Sequence, residues 1–166
     1  MSEVDPHSLE AVREVIKDVR FAMFTTQGQN GELMSRPMTT QQGDDQPGPY
    51  LWFFMSRSGD TVREFTRHAG VNVAYADPHR DSYASICGRA EVVEDMAKKK
   101  ALWSVFTKAW FPGGLDDPDL ALVRVDIESA EYWIVRESNV VQMFKMAKAA
   151  ATGTTPSMGE HGTVRL

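Results

Sequence analysis

The chain has 166 residues, 42% of them hydrophobic and 25% charged, with a formal net charge of -5. That length supports one domain with its own core, and the composition excludes wholesale disorder. The acidic balance argues against a general nucleic-acid binder, which needs a basic excess or a basic face. The single cysteine, Cys87, excludes an intramolecular disulfide and any multi-cysteine metal site.

Taken in order, the chain opens with a helix. Asp5-Pro6 supplies an N-cap followed by proline in the first turn, and Leu9, Val12 and Ile16 recur at helical spacing. Strands are expected at 20–27, 32–41 and 50–56. Gly28-Gln29-Asn30-Gly31 joins the first two, and its Asn-Gly pair is a strong hairpin signal. An irregular loop with two prolines and two glycines follows from Gln42 to Pro49. A short helix at 60–68 places Val62 and Phe65 on one face and leaves Arg63, Glu64 and Arg67 solvated.

Strands near 70–76 and 81–94 come next. Gly88 in the second marks a bulge or a bend at a barrel corner, and Cys87 beside it reads as a small buried hydrophobe. Residues 95–109 have helical periodicity, with Lys98-Lys99-Lys100 as a solvated face. The PGGLDDPD loop then breaks the chain, strands near 120–127 and 130–136 complete the sheet, and a last helix spans about 138–150. Residues 151–166, small, polar and glycine-rich, read as a flexible tail on a domain of residues 1–150. Many short strands with a few flanking helices predict a mainly β (α+β) fold, a small barrel rather than a doubly wound sheet.

No apolar run approaches the ~20 residues that span a bilayer, and MSEVDPHSLE lacks the charged-then-apolar pattern of a secretory leader. A cytoplasmic setting with no membrane partner is the expectation. The four histidines, His7, His68, His79 and His161, show no metal-ligand spacing, so no metal is expected. Asp116-Asp117-Pro118-Asp119 reads as a solvated acidic loop.

Chemistry concentrates between Trp52 and Pro78, WFFMSRSGDTVREFTRHAGVNVAYADP. An aromatic strand delivers the chain into a small-residue turn at a helix N-terminus, where unpaired N–H groups and the helix dipole suit an anion such as a phosphate. Upstream stands Met34-Ser35-Arg36-Pro37-Met38; downstream stand Tyr83 to Asp95, Ala109-Trp110-Phe111-Pro112-Gly113-Gly114, and Glu131-Tyr132-Trp133. In that order and spacing, the set resembles the general stress protein group of the pyridoxamine-phosphate-oxidase-like family of FMN-binding split barrels. The resemblance covers roughly residues 6 to 150.

It implies a split β-barrel of about six antiparallel strands, a homodimer, and FMN (or FAD or another flavin) in a cleft at the subunit interface. Carried onto this sequence, Arg36, Pro37 and Met38 would flank the isoalloxazine and ribityl chain, and Phe54 and Met55 would pack against the flavin. Ser58, Gly59, Asp60, Thr61 and Val62 would form the phosphate turn. Trp110 and Phe111, beside the Pro-Gly-Gly loop, would cover the ligand or close the barrel. Tyr83 and Arg89 border the cleft in this reading, but no catalytic acid or base stands out. Trp52, Phe53 and Phe54 should include at least two purely packing residues.

The chain departs from the family pattern in the turn. Gly59 stands where serine is expected and Thr61 where lysine is expected, and Asp60 adds a negative charge. Losing one charge-assisted contact costs ~1.5–3 kcal/mol, which Arg57, Arg63 or a lysine of the last helix could offset. The function implied is a stress-associated, flavin-dependent oxidoreductase or reductase. The alternatives are a non-catalytic flavin carrier, sensor or binding module, or an interaction protein without cofactor. Pyridoxamine phosphate oxidation itself is not expected, because no basic set for a second phosphate is found.

Overall fold

The computed structural model describes residues 6–41 and 48–166. The Asp5 cap and most of the loop at 42–49 lie outside them. Helix α1 (Pro6–Ile16) buries Val12, Val15 and Ile16 against the sheet. Strands β1 (Phe21–Gln27) and β2 (Leu33–Gln41) form the expected hairpin, registered from Phe21↔Thr39 to Gln27↔Leu33. Gly31 takes φ +83° there, the left-handed conformation that its Asn-Gly turn demands. β3 (Tyr50–Ser56), α2 (Asp60–Arg67), β4 (Gly70–Asp77) and β5 (Ser82–Val93) follow at the expected places.

The strands run β3-β2-β1-β4-β5-β6, and antiparallel pairing of β3 with β6 (Leu120–Ile134) closes them into a six-stranded barrel. Alternation along β1 sends Ala22, Phe24 and Thr26 inward. Phe24 meets Phe53 edge-on at 5.2 Å and Phe65 of α2 at 6.4 Å, so α2 plugs the barrel with the Val62/Phe65 face read from the sequence. A second cluster lies outside the wall, where Phe54, Leu120 and Leu122 pack with Leu102, Trp52, Trp103 and Phe111. Two cores on opposite faces explain why β3 reads as an unbroken apolar run rather than an alternating one.

Four expectations are corrected. The helix expected over 95–109 is two, α3 (Met96–Leu102) and α4 (Val105–Trp110). Trp103 is extended at φ −66°, ψ 132°, and the Ser104 hydroxyl accepts from the Thr107 amide to start α4 afresh. The strands expected at 120–127 and 130–136 are one, β6. Its register against β5 slips between Cys87↔Ser129 and Gly88↔Ile127, leaving Glu128 as the extra residue of a bulge. At that bulge a Cβ on Gly88 would stand 2.3 Å from the Asp126 carbonyl oxygen, so the position requires glycine. Cys87 is exposed, because the period of two that buries Ile86 and Gly88 turns it outward. Finally, within the segment read as a tail, α5 (Asn139–Thr152) is followed by a seventh strand, β7 (Glu160–Arg165), paired with the second half of β6 from Ser129↔Arg165 to Ile134↔Glu160. Val164 sits in the main core, which fixes the strand. Among the described residues, no helix is long and apolar enough to cross a membrane.

Candidate functional site

Among the described residues, β2 and β3 pair at two positions, Thr40↔Phe53 and Gln41↔Trp52. Toward Phe54–Ser56 and Pro37–Thr39 the two strands part, β3 remaining paired with β6 and β2 with β1 along their other edges. Pro37, which cannot donate to a ladder, sits in the separated stretch of β2. The gap between Pro37–Thr39 and Phe54–Ser56 opens into a cleft of about 1110 Å³. Its far wall is the end of α3, α4 and the loop to Asp119. This is the split of the barrel, and it has the size and apolar character of a small-molecule site.

Six of the residues singled out in the sequence come together here: Pro37, Met38, Phe54, Met55, Trp110 and Phe111. Phe54 is held by an edge-on contact with Trp103 at 5.9 Å, whereas Trp110 is 73% exposed at the rim. Phe53 is pure barrel core, and Phe111 packs under the cleft wall. Tyr83 and Arg89, on the outward face of β5, are not among the residues that line the cleft.

Arg36 is committed elsewhere. Alternation along β2 sends it away from the cleft-lining Pro37, and its guanidinium holds Glu64 of α2 through two hydrogen bonds of 2.8 and 3.0 Å. The Thr26 hydroxyl donates to the same carboxylate. The Arg36 hydrogen bonds, followed by that from Thr26, hold the Glu64 carboxyl below the usual carboxylate range.

Ser58, Gly59, Asp60, Thr61 and Val62 form the turn into α2 as expected, with Gly59 at the N-cap and Thr61 and Val62 buried. None of the five lines the cleft itself; the neighbouring Ser56 does. The two arginines of the turn expected to supply charge are engaged, Arg57 with Glu94 at 2.8 Å and Arg63 with Asp60.

Three contributors were not singled out from the sequence. Arg20 and Phe21 line the cleft, with the guanidinium 5.0 Å from the Phe21 ring centre and 5.7 Å from that of Phe106. Among the described residues Arg20 has no carboxylate partner. Asp119, read as part of a solvated acidic loop, instead reaches the β3–α2 turn. Its carboxylate accepts from the Ser56 hydroxyl at 2.6 Å and the Ser58 amide at 2.9 Å, while its carbonyl accepts from the Arg57 amide at 2.7 Å. The hydrogen bonds from Ser56 and Ser58, with the nearby Arg57 charge, hold this carboxyl below its ordinary range. A contact 61 residues apart leaves no local signal; only the density of acceptors in DDPD hinted at it.

Comparison with known proteins agrees with the architecture. A general stress FMN/FAD binding protein of Xanthomonas citri is 33% identical, superposes with a TM-score of 0.67, and the match covers 78% of this chain and 89% of that one. A provisionally assigned general stress protein 26 of Jannaschia sp. CCS1 is 28% identical with a TM-score of 0.74, over 98% and 100% of the two chains. Protein bli-3 of Neurospora crassa is 26% identical over 143 residues, 81% of this chain and 68% of its own length. The model of the pyridoxamine 5'-phosphate oxidase-like proteins matches residues 7–157. With its barrel, its split and its sequence all in accord, the chain belongs to the pyridoxamine 5'-phosphate oxidase-like family.

Proposed function

We propose that this protein binds a flavin in the cleft where β2 and β3 part, and that it serves flavin-dependent electron transfer. The observation that carries the reading is the cleft itself. Pro37, Met38, Phe54 and Met55 supply apolar walls on two diverging strands, which suits a planar tricyclic ring. Among the described residues, no strand pairs with the parted stretch of β2 on its β3 side, leaving backbone groups for the ring's polar edge. The residues present therefore fit the ring. The strongest support from outside the chain is the one-third identity to a general stress FMN/FAD binding protein.

A bound flavin would supply reversible hydride and electron transfer. The protein's part is to orient the ring, exclude water and shape access. Among the described residues the cleft wall carries no histidine, lysine, cysteine or tyrosine. That observation favours a second reading beside the reductase, a flavin carrier or sensor without turnover.

We further propose that two copies of the chain share the site. Val105 (84% exposed), Phe106 (74%) and Trp110 (73%) project from α4 beside the cleft. An apolar group this exposed at a ligand's edge suits coverage by a second subunit. Light scattering on the purified protein should give the dimer mass.

The visible absorption spectrum after loading with excess flavin and removing the unbound fraction tests the main reading. Retained flavin absorbance supports it, and a colourless protein that retains none overturns it. Reduction of the bound flavin by NADH or NADPH, with passage to an acceptor, separates the reductase from the carrier.

A further inference from the structure

A phosphomonoester entering this cleft would look for N–H and hydroxyl donors and a cation, and at the β3–α2 turn the donors nearest the cleft are already engaged within the chain. The Ser56 hydroxyl and the Ser58 amide both donate to Asp119. Three arginines of the neighbourhood are ion-paired within the chain, Arg36 with the half-buried Glu64, and Arg57 and Arg63 with Glu94 and Asp60 in solvent-exposed pairs. Among the described residues, the charged side chains lining the cleft are Asp117, Asp119 and Arg20, two carboxylates against one guanidinium. The Asp119 carboxylate has the charge sign and the acceptor geometry of an anion in an anion-binding turn.

From this we infer that Asp119 is a built-in anion that determines ligand specificity: it occupies two donors of the turn with a negative charge, so that the cleft takes an uncharged, hydroxyl-ended flavin of the riboflavin class in preference to a phosphorylated one. The inference rests on the flavin reading and sharpens it. A phosphate of roughly -1.5 to -2 charge at neutral pH would have to displace Asp119 from two hydrogen bonds and then remain beside it. A ribityl hydroxyl carries no charge and can donate to the same carboxylate.

The test is fluorescence titration of the purified protein with riboflavin and with FMN, for the wild type and for Asp119→Asn, which keeps the side chain's shape. The wild type is expected to bind riboflavin at least as tightly as FMN. Asp119→Asn should shift the preference toward FMN by about tenfold or more, because a like-charge contact is removed for FMN and the charged acceptor of the ribityl hydroxyl is removed for riboflavin. The wild-type comparison needs no variant and stands alone if Asp119→Asn folds poorly. FMN bound about tenfold more tightly than riboflavin by the wild type would overturn the inference and leave the flavin reading intact. Equal effects of the substitution on both ligands would also overturn it, by showing that Asp119 only shapes the turn. If neither flavin binds, the flavin reading fails and the inference falls with it.

Discussion

Replacing Glu64 by alanine should destabilise the protein by ~2 kcal/mol, a magnitude that follows from where the pair lies. The carboxylate takes two hydrogen bonds from Arg36, at 2.8 and 3.0 Å, and one from Thr26. The side chains of Arg36 and Glu64 are 26% and 18% exposed. A fully exposed pair would be worth at most ~1 kcal/mol, whereas breaking a fully buried one costs ~3–5 kcal/mol. This pair falls between, because Arg36 would lose its charge partner yet keep some water and its bond to Thr26. Urea unfolding at unchanged slope is the assay, and a melting-temperature drop of roughly 4–8 °C is expected for a chain of this length. The exposed Glu10, changed to alanine, is the control.

The effect must also depend on pH. Since Arg36 lowers the folded-state carboxyl of Glu64, its stabilisation is present above the unfolded value of about 4.3 and is lost as pH falls through the lower folded value. The stability gap between wild type and Glu64→Gln should therefore close in acid. A gap that stays constant to about pH 2, or a Glu64→Ala cost no greater than that of Glu10→Ala, would refute the argument.

Gly88→Ala should cost about 2–3 kcal/mol in the same assay, because its Cβ would meet the Asp126 carbonyl at 2.3 Å and the Val125 side chain at 2.9 Å. A cost under about 0.5 kcal/mol would deny the close approach. Tyr75, buried and bonded through its hydroxyl to Thr40, has its phenol pushed well above the ordinary value by burial. Its contribution is intact below about pH 10 and declines as pH rises beyond, where only the unfolded chain ionises freely. Wild type should thus lose stability relative to Tyr75→Phe above that pH; an unchanged difference would count against the burial argument.

The barrel was legible because its signals are local. Asn30-Gly31 set the first hairpin, the apolar run at 51–55 announced a strand covered on both faces, and Val62 with Phe65 marked the plug helix. Where the reading failed, competing chemistry was at work. Ser104 offered a cap in the middle of an otherwise continuous helical period. The polar Glu128-Ser129 looked like a turn but sits at a bulge within one strand. β7 hides in EHGTVR, where only Val164 of the six is buried. At the cleft, residues on the parting strands were found through the family resemblance, which their motifs carry. Arg20, Phe21 and Asp119 were not, since what matters is their reach to groups distant in sequence. Arg36 was noticed but its partner on α2 was not, for the same reason.

β6 shares one of its edges between two partners: β3 covers it up to Tyr50↔Asp126, and β7 takes over from Ser129↔Arg165. Without β7, the stretch from Ser129 to Ile134 would present a row of free N–H and C=O groups next to the exposed aromatic face of Trp133. An open edge of that kind invites a strand from another molecule. β7 spends its six residues on filling that place, with a glycine at 162 that lets the Tyr132 ring lie against the backbone and a histidine at 161 stacked on Trp133 at 5.1 Å. β7 thus covers an edge that would otherwise be open to strand addition, with one buried residue of its six, Val164, and little apolar surface of its own.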